Sequence, residues 1–329
     1  MMDQPVSFNR RHILAGGAAG LTAAGAAGLG LGLAPLRAQA AASMQTEALL
    51  SVSRFKVGAF EVTALLDGAA VSEEPQKTFG MNVPAEEFNA VSEANFLPVD
   101  KFRNSFTPVL VNTGDKLVLF DTGVGEGGRP DRGNMRAALQ AAGYSPEQVD
   151  IVVLTHMHPD HIGGMLEGGN PAFPNAVYVA GQAEYDFWAA QDPASNGVAK
   201  LMETHVKPFA EKMTFIGDGG AVVSGITGMD AAGHTPGHMI YNLESEGRRL
   251  VLTADMTNHF VWSLAHPDWE VRFDMDKAAA AETRRKVLGM IAADRVAFAG
   301  YHMPFPTVGF VEANGDGFRY VPAAYQFSL

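Results

Sequence analysis

The chain predicts an α/β fold, and three observations carry that reading. The apolar runs at 151–154 and 250–253 lack polar alternation and read as strands buried on both faces. Segments of helical spacing alternate with them, at 134–142, 183–190 and 278–292. Four predicted strands run into a polar or ionisable residue: Asp121, His156, Asp255 and His302. Strand ends along one sheet edge are where α/β proteins gather their sites.

Taken in order, residues 55–68 read as two short strands around a turn, closed by Asp67-Gly68. Residues 72–104 are polar, contain proline and are only weakly periodic, so a loop with a short helix is expected there. Residues 107–111 and 116–120 form a strand pair about the turn Asn112-Thr113-Gly114-Asp115. The helix at 134–142 stops at Gly143. The buried strand 151–154 follows, then a strand at 176–179 and the helix 183–190. The strand 250–253 leads to Asp255. The helix 278–292 is expected to carry Arg284, Arg285 and Lys286 on its polar side, and the strand 296–299 ends near His302.

Composition narrows the function. Net charge is -12 and the sequence pI is about 5.2, with no basic run of the kind that binds nucleic acid. There is no cysteine. No disulfide holds the fold and no thiolate serves as nucleophile or ligand, so metal ligands must come from His, Asp and Glu.

The first 40 residues read as a leader. Arg10-Arg11 precede a mildly apolar Ala/Gly/Leu stretch at 13–33, which ends in Pro35-Leu36-Arg37-Ala38-Gln39-Ala40, an A-x-A cleavage pattern. This looks like a twin-arginine export signal, with a plain secretory signal as the other reading. Glycine density argues against a retained membrane anchor. The expected organisation is a cleaved signal at 1–40, a short linker at 41–54 and one catalytic domain at 55–329. The expected location is periplasmic or secreted, with the twin-arginine machinery as export partner and a homodimer left open.

The chemistry concentrates in Thr155-His156-Met157-His158-Pro159-Asp160-His161. His156 and His158, two apart in extended backbone, present both imidazoles on one face. Pro159 suits the first turn of a helix. Asp160 and His161 lie in that turn and project toward the same space. Imidazole nitrogen and carboxylate oxygen are the ligands zinc takes when thiolate is absent. His234, Asp255 and His302, in Gly233-His234-Thr235-Pro236-Gly237-His238, after the strand 250–253 and in Gly300-Tyr301-His302, supply what this cluster lacks.

This set resembles the metallo-β-lactamase superfamily from about residue 55 onward. The resemblance implies an αββα sandwich, two mixed β-sheets flanked by helices, holding two divalent metal ions per chain. Zinc is the expected metal, with Mn2+, Fe2+ or Co2+ as substitutes. It assigns His156, His158 and His234 to one metal, Asp160, His161 and His302 to the other, and Asp255 as the bridge. A shared anion between two closely spaced cations screens their repulsion. Asp121 is implied to orient a ligand histidine, and His238 is read as a supporting group behind the ligands. His259, four positions after Asp255, is a pocket candidate.

Within the superfamily, the sequence is most similar to the methyl parathion hydrolase branch, beside the lactonases. The carrying segments include Phe60-Glu61-Val62-Thr63-Ala64-Leu65, Ala142-Gly143-Tyr144-Ser145-Pro146-Glu147 and Asp186-Phe187-Trp188. That branch carries an aromatic residue after its Asp-Thr-Gly turn, whereas 124–130 here is Gly-rich and has none. Trp188 is expected as one aromatic wall of the substrate pocket, Phe260 or Trp262 as a second, and Phe96 or Phe106 as replacements. The implied activity is cleavage of a lactone or other small ester by a hydroxide bridging the two metals. Asp160 and Asp255 are the catalytic carboxylates, and Asp255 holds or accepts the proton. The alternatives are an organophosphate triester hydrolase, a thioester hydrolase of the glyoxalase II type, an iron-dependent dioxygenase, or a non-catalytic periplasmic metal-binding protein.

Overall fold

The computed structural model describes residues 51–323 and 329. The leader, with Arg10, Arg11 and Arg37, lies outside them. Elements follow in chain order as β1 (Val52–Val57), β2 (Phe60–Leu65), β3 (Gly68–Glu73), α1 (Ala85–Ala94), β4 (Lys101–Phe106), β5 (Val109–Asn112), β6 (Leu117–Phe120) and α2 (Met135–Ala141). Next come β7 (Ile151–Leu154), α3 (Pro159–Ile162), β8 (Leu166–Glu167), β9 (Asn170–Pro171), β10 (Val177–Gly181), α4 (Gln182–Ala189) and α5 (Gly197–His205). The second half holds β11 (Met213–Ile216), β12 (Ala221–Val223), β13 (Ile226–Asp230), β14 (Met239–Ser245), β15 (Arg248–Ala254), α6 (Lys277–Asp294), β16 (Ala297–Gly300), β17 (Val308–Asn314) and β18 (Gly317–Pro322).

Two seven-stranded sheets form among the described residues, in the orders β1-β2-β5-β6-β7-β10-β11 and β12 through β18. Both are mixed. In the first, β6, β7, β10 and β11 run parallel while β1, β2, β5 and β6 alternate. In the second, β15 and β16 are parallel and the other neighbours antiparallel. Side chains of the two inner faces meet in one core, with Val62, Val111, Val118 and Val153 against Ile226, Tyr241, Leu243 and Leu252. The outer face of the first sheet packs on α2, α4 and α5 through Leu119, Val152, Leu139, Trp188 and Met202. The outer face of the second packs on α6 through Val251, Phe298, Leu288 and Ile291. This is the expected αββα layering. It explains why β7 reads as a continuous apolar run, since both of its faces are covered.

Three expectations need correction. The span read as linker already contains the start of β1, because Val52 pairs with Leu65. The segment 72–104 holds more than a loop and a helix: β3 and β4 pair in antiparallel register from Gly68↔Phe106 to Glu73↔Lys101. Asn104 between the buried Phe102 and Phe106 hides the alternation. Arg284 is not on the polar side of α6, for it is fully buried and pairs with Asp274 at 2.7 Å.

Candidate metal centre

The ligand candidates follow the ends of strands, with Asp160 and His161 in the short helix α3 and His234 in the loop after β13. β7 delivers Thr155 and His156, and α3 opens at His158 with Pro159 in its first turn. Asp255 follows β15 after Ala254, a non-glycine residue in the left-handed region at φ 43. Asp121, after β6, takes the same rare conformation at φ 61. Such backbone costs about 1–3 kcal/mol per residue and persists where the surroundings enforce it. Gly164 is required for close approach, since a Cβ there would lie 2.0 Å from the Thr122 carbonyl oxygen.

The side chains converge in two groups. His156, His158 and His234 form one, and Asp160, His161, Asp255 and His302 the other, with the candidate ligand atoms of each group all within 4.8 Å of one another. His158 Nδ1 and His234 Nε2 stand 3.0 Å apart. Asp255 lies between the groups: its Oδ2 is 3.4 Å from His234 Nε2 and 3.1 Å from His302 Nε2, and its Oδ1 is 3.2 Å from His161 Nε2. Asp160 Oδ2 approaches His161 Nε2 at 3.5 Å and His302 Nε2 at 3.4 Å.

A second ring of partners fixes the imidazoles. Asp121 Oδ2 holds His161 Nδ1 at 2.8 Å and accepts from the Thr155 hydroxyl at 2.9 Å. Asp274 Oδ1 holds His234 Nδ1 at 3.0 Å. His302 Nδ1 meets the Ser105 carbonyl at 2.7 Å. These contacts set the tautomers and leave Nε2 of each ring aimed at the centre. His238 accepts the Asp255 backbone N–H on Nε2 at 3.2 Å, so it stands behind the bridge position. Asn258 donates to Asp255 Oδ2 at 3.0 Å, and the Tyr301 hydroxyl donates to the Asp160 carbonyl at 2.6 Å.

The donor set fits divalent metal. His156 Nε2 is buried without a hydrogen-bond partner, and His161 Nε2 and Asp255 Oδ1 stand 3.2 Å apart without forming a well-directed one. Unpaired buried polar atoms are costly, and these three are lone-pair donors facing a common space. Electrostatics agree. Burial pushes the His158 imidazole down to about 3, and His156 likewise well down, which keeps both neutral. Burial also acts downward on His302, but Asp255 and Asp160 outweigh it and hold the ring up at about 10. His161 is raised as well, against burial, by Asp255, Asp121 and Asp160. The carboxylates call for positive charge at this point, which a divalent cation supplies.

Beside His302 a cavity of about 560 Å³ opens, lined mainly by apolar side chains. Ala69 and Val71 of β3 and Phe102 of β4 form one wall, and His259, Phe260, Trp262 and Phe305 the other. His259 stacks on Trp262 with ring centroids 4.0 Å apart, and its Nδ1 accepts the backbone N–H groups of Val261 and Trp262. Burial takes its imidazole down to about 3. Trp262 is itself buried and donates its indole N–H to Ser92 at 3.0 Å. Of the two replacement aromatics, Phe106 packs edge-on against His302 at 5.4 Å, whereas Phe96 is 96% exposed. Trp188 does not line this cavity: it is packed in the core and donates its indole N–H to Glu184 at 2.7 Å. The Gly-rich segment is pinned by Asp67, whose carboxylate accepts from the backbone N–H groups of Val124, Gly133 and Met135.

Sequence reasoning missed Asp274, Arg284, Glu184, Asp67 and the β3–β4 wall. Asp67 carried a signal, an acid before glycine between two strands, but its partners lie 57–68 positions away. Asp274 sits in a short polar stretch with nothing to separate it from a surface acid.

A model of the Metallo-beta-lactamase superfamily matches residues 107–297. The "N-acyl homoserine lactonase" of Bacillus cereus is 31% identical over 114 residues, 35% of this chain and 40% of that protein. The match thus spans well under half of that relative. Among solved structures, AidC, a dizinc quorum-quenching lactonase in complex with a product, N-hexanoyl-L-homoserine, is 27% identical with a TM-score of 0.78, covering 84% of this chain and 98% of that one. The hydrolase AbOPH, in the beta lactamase superfamily, is also 27% identical with a TM-score of 0.78, covering 85% and 100%. With more than half of its length matched by that family model, and with the sandwich and strand-end histidines in place, the chain belongs to the metallo-beta-lactamase superfamily.

Proposed function

We propose that the protein hydrolyses lactones or other small esters at a centre of two divalent metal ions, zinc by preference. The observation that carries this reading is the pair of adjacent ligand groups with Asp255 between them, opening through His302 onto an apolar cavity. His156, His158 and His234 would hold one ion, Asp160, His161 and His302 the other, and Asp255 would reach both. When bound, such a pair supplies an acidified water and a Lewis acid for the oxygen that gains charge.

The chain's own side chains do the rest. Asp121 and Asp274 keep their histidines oriented, so the ligand geometry does not need to reorganise during reaction. Asp255 is tied on one side to the amide of Asn258; burial acts upward on its carboxyl, but His302 and His161 outweigh it and hold it well below the ordinary range, so it remains the anion that two cations would share. The mainly apolar cavity takes the apolar part of the substrate beside the centre, within the volume range usual for small-molecule sites. Relatives named as N-acyl homoserine lactonases support the lactone reading. Acid release from dihydrocoumarin and an acyl-homoserine lactone, with and without a chelator, tests it. Chelator-sensitive release is expected, and a protein inert toward every lactone and ester while metal-loaded would overturn it.

A further inference from the structure

Glu184 on α4 is fully buried, and no Lys or Arg is among the hydrogen-bond partners of its carboxylate in the described residues. Four donors hold its carboxylate instead. Oε1 accepts from the Met157 backbone N–H at 2.9 Å and the Trp188 indole N–H at 2.7 Å. Oε2 accepts from the Thr235 hydroxyl at 2.7 Å and the Gly237 backbone N–H at 3.0 Å. These partners interleave with the ligand candidates. Met157 lies between His156 and His158, Thr235 follows His234, and Gly237 precedes His238. The first loop leaves β7 in one sheet, and the second joins β13 to β14 in the other.

One backbone bond also joins the two loops, from Met239 N–H to the Thr155 carbonyl at 3.0 Å, but it sits at the strand ends beyond the ligands. Glu184 reaches the residues that alternate with them. The backbone is shaped to let it do so: a Cβ on Gly237 would lie 2.1 Å from the Glu184 nitrogen. A carboxylate suits the task because all four neighbours are donors, and a buried anion with several N–H and O–H partners holds them more firmly than a neutral acceptor.

We propose that Glu184 is the positioning residue of the His156–His158–His234 group, fixing the two loops that carry these histidines so that they present a preformed site for a divalent cation. Trp188 then acts on the metal through Glu184, besides its edge contact with the His158 ring at 6.2 Å, and not as a wall of the substrate cavity. The assignment rests on the two-metal reading above.

Glu184→Gln replaces one acceptor oxygen with a donor amide facing N–H or O–H groups, while keeping the side chain's size. Thr235→Val removes one of the four donors at nearly constant volume, and Trp188→Phe removes another. Co2+ titration of the metal-free protein, followed by its visible spectrum, reads each equivalent separately. Glu184→Gln should keep the wild-type circular dichroism and lose about ten- to a hundredfold in affinity for one Co2+ equivalent, the usual scale for an outer partner of metal ligands. The other equivalent should be little changed. Thr235→Val and Trp188→Phe should shift the same equivalent by less, with KM of the fully loaded enzymes unaltered. Unchanged binding of both equivalents in folded Glu184→Gln would overturn the assignment, as would equal loss at both. If Glu184→Gln does not fold, wild-type Co2+ affinity in Thr235→Val and Trp188→Phe would overturn it. A wild-type protein that takes up no Co2+ would remove the two-metal reading, and this assignment with it.

Discussion

Oδ1 of Asp274 lies 3.0 Å from Nδ1 of His234, which leaves Nε2 of that ring 3.0 Å from His158 and 3.4 Å from Asp255. The same carboxylate pairs through its other oxygen with Arg284 at 2.7 Å, and both side chains are fully shielded from solvent. A candidate ligand histidine is thus tied to a buried ion pair whose arginine stands on α6. Asp274→Asn should therefore act twice. It leaves the Arg284 charge buried without an anion, a loss of about 3–5 kcal/mol. It also weakens the hold on His234. Urea unfolding of the metal-free protein measures the first effect, and a cost below about 1 kcal/mol would show that the pair is not the anchor described.

Asp255 and His302 differ in reach. Asp255 approaches ligand candidates of both groups, whereas His302 approaches those of its own group, Asp160, His161 and Asp255. Asp255→Ala is expected to lower bound zinc toward zero after gel filtration, and His302→Ala to retain about one ion per chain. Inductively coupled plasma analysis decides between them. Two tightly held ions in Asp255→Ala would remove the bridging role.

The cavity beside His302 predicts a size-dependent effect. Ala69 on β3 faces it, so Ala69→Phe should fill part of the roughly 560 Å³. The kcat/KM for a long-chain acyl lactone should fall at least tenfold, about 1.4 kcal/mol at the transition state. A small unsubstituted lactone should lose much less. Equal losses on both would mean that the cavity does not hold the substrate's apolar part.

Much of this was legible in the sequence, for definite physical reasons. His156, Asp255 and His302 lie just past strand ends, and strands such as 151–154 and 250–253 announce themselves by apolar runs. His156, His158, Asp160 and His161 are close in the chain, so local geometry alone brings them together. What stayed hidden depends on contacts distant in sequence. Asp274, Glu184 and Arg284 look like surface residues until the fold buries them, 40, 27 and 10 positions from the partners they hold. Trp188 was read as a substrate wall because the resemblance to the methyl parathion hydrolase branch runs through Asp186-Phe187-Trp188. Its N–H instead found the Glu184 carboxylate four residues away on the same helix.

Export is a separate proposal. Arg10-Arg11 ahead of a glycine-rich apolar stretch motivates it, and no helix of the described residues is long and apolar enough to cross a membrane. Changing both arginines to lysine should leave the precursor in the cytoplasm, as cell fractionation would show. Unaltered export would point to the general secretory route.

The most direct test of the account is a metal titration of activity. Metal-free protein receives Zn2+ in steps while acid release from a lactone is followed. Two ligand groups sharing Asp255 predict that turnover rises steeply only as the second equivalent binds and levels off near two ions per chain. Full activity at one equivalent, with no further gain at two, would contradict a centre in which both groups take part.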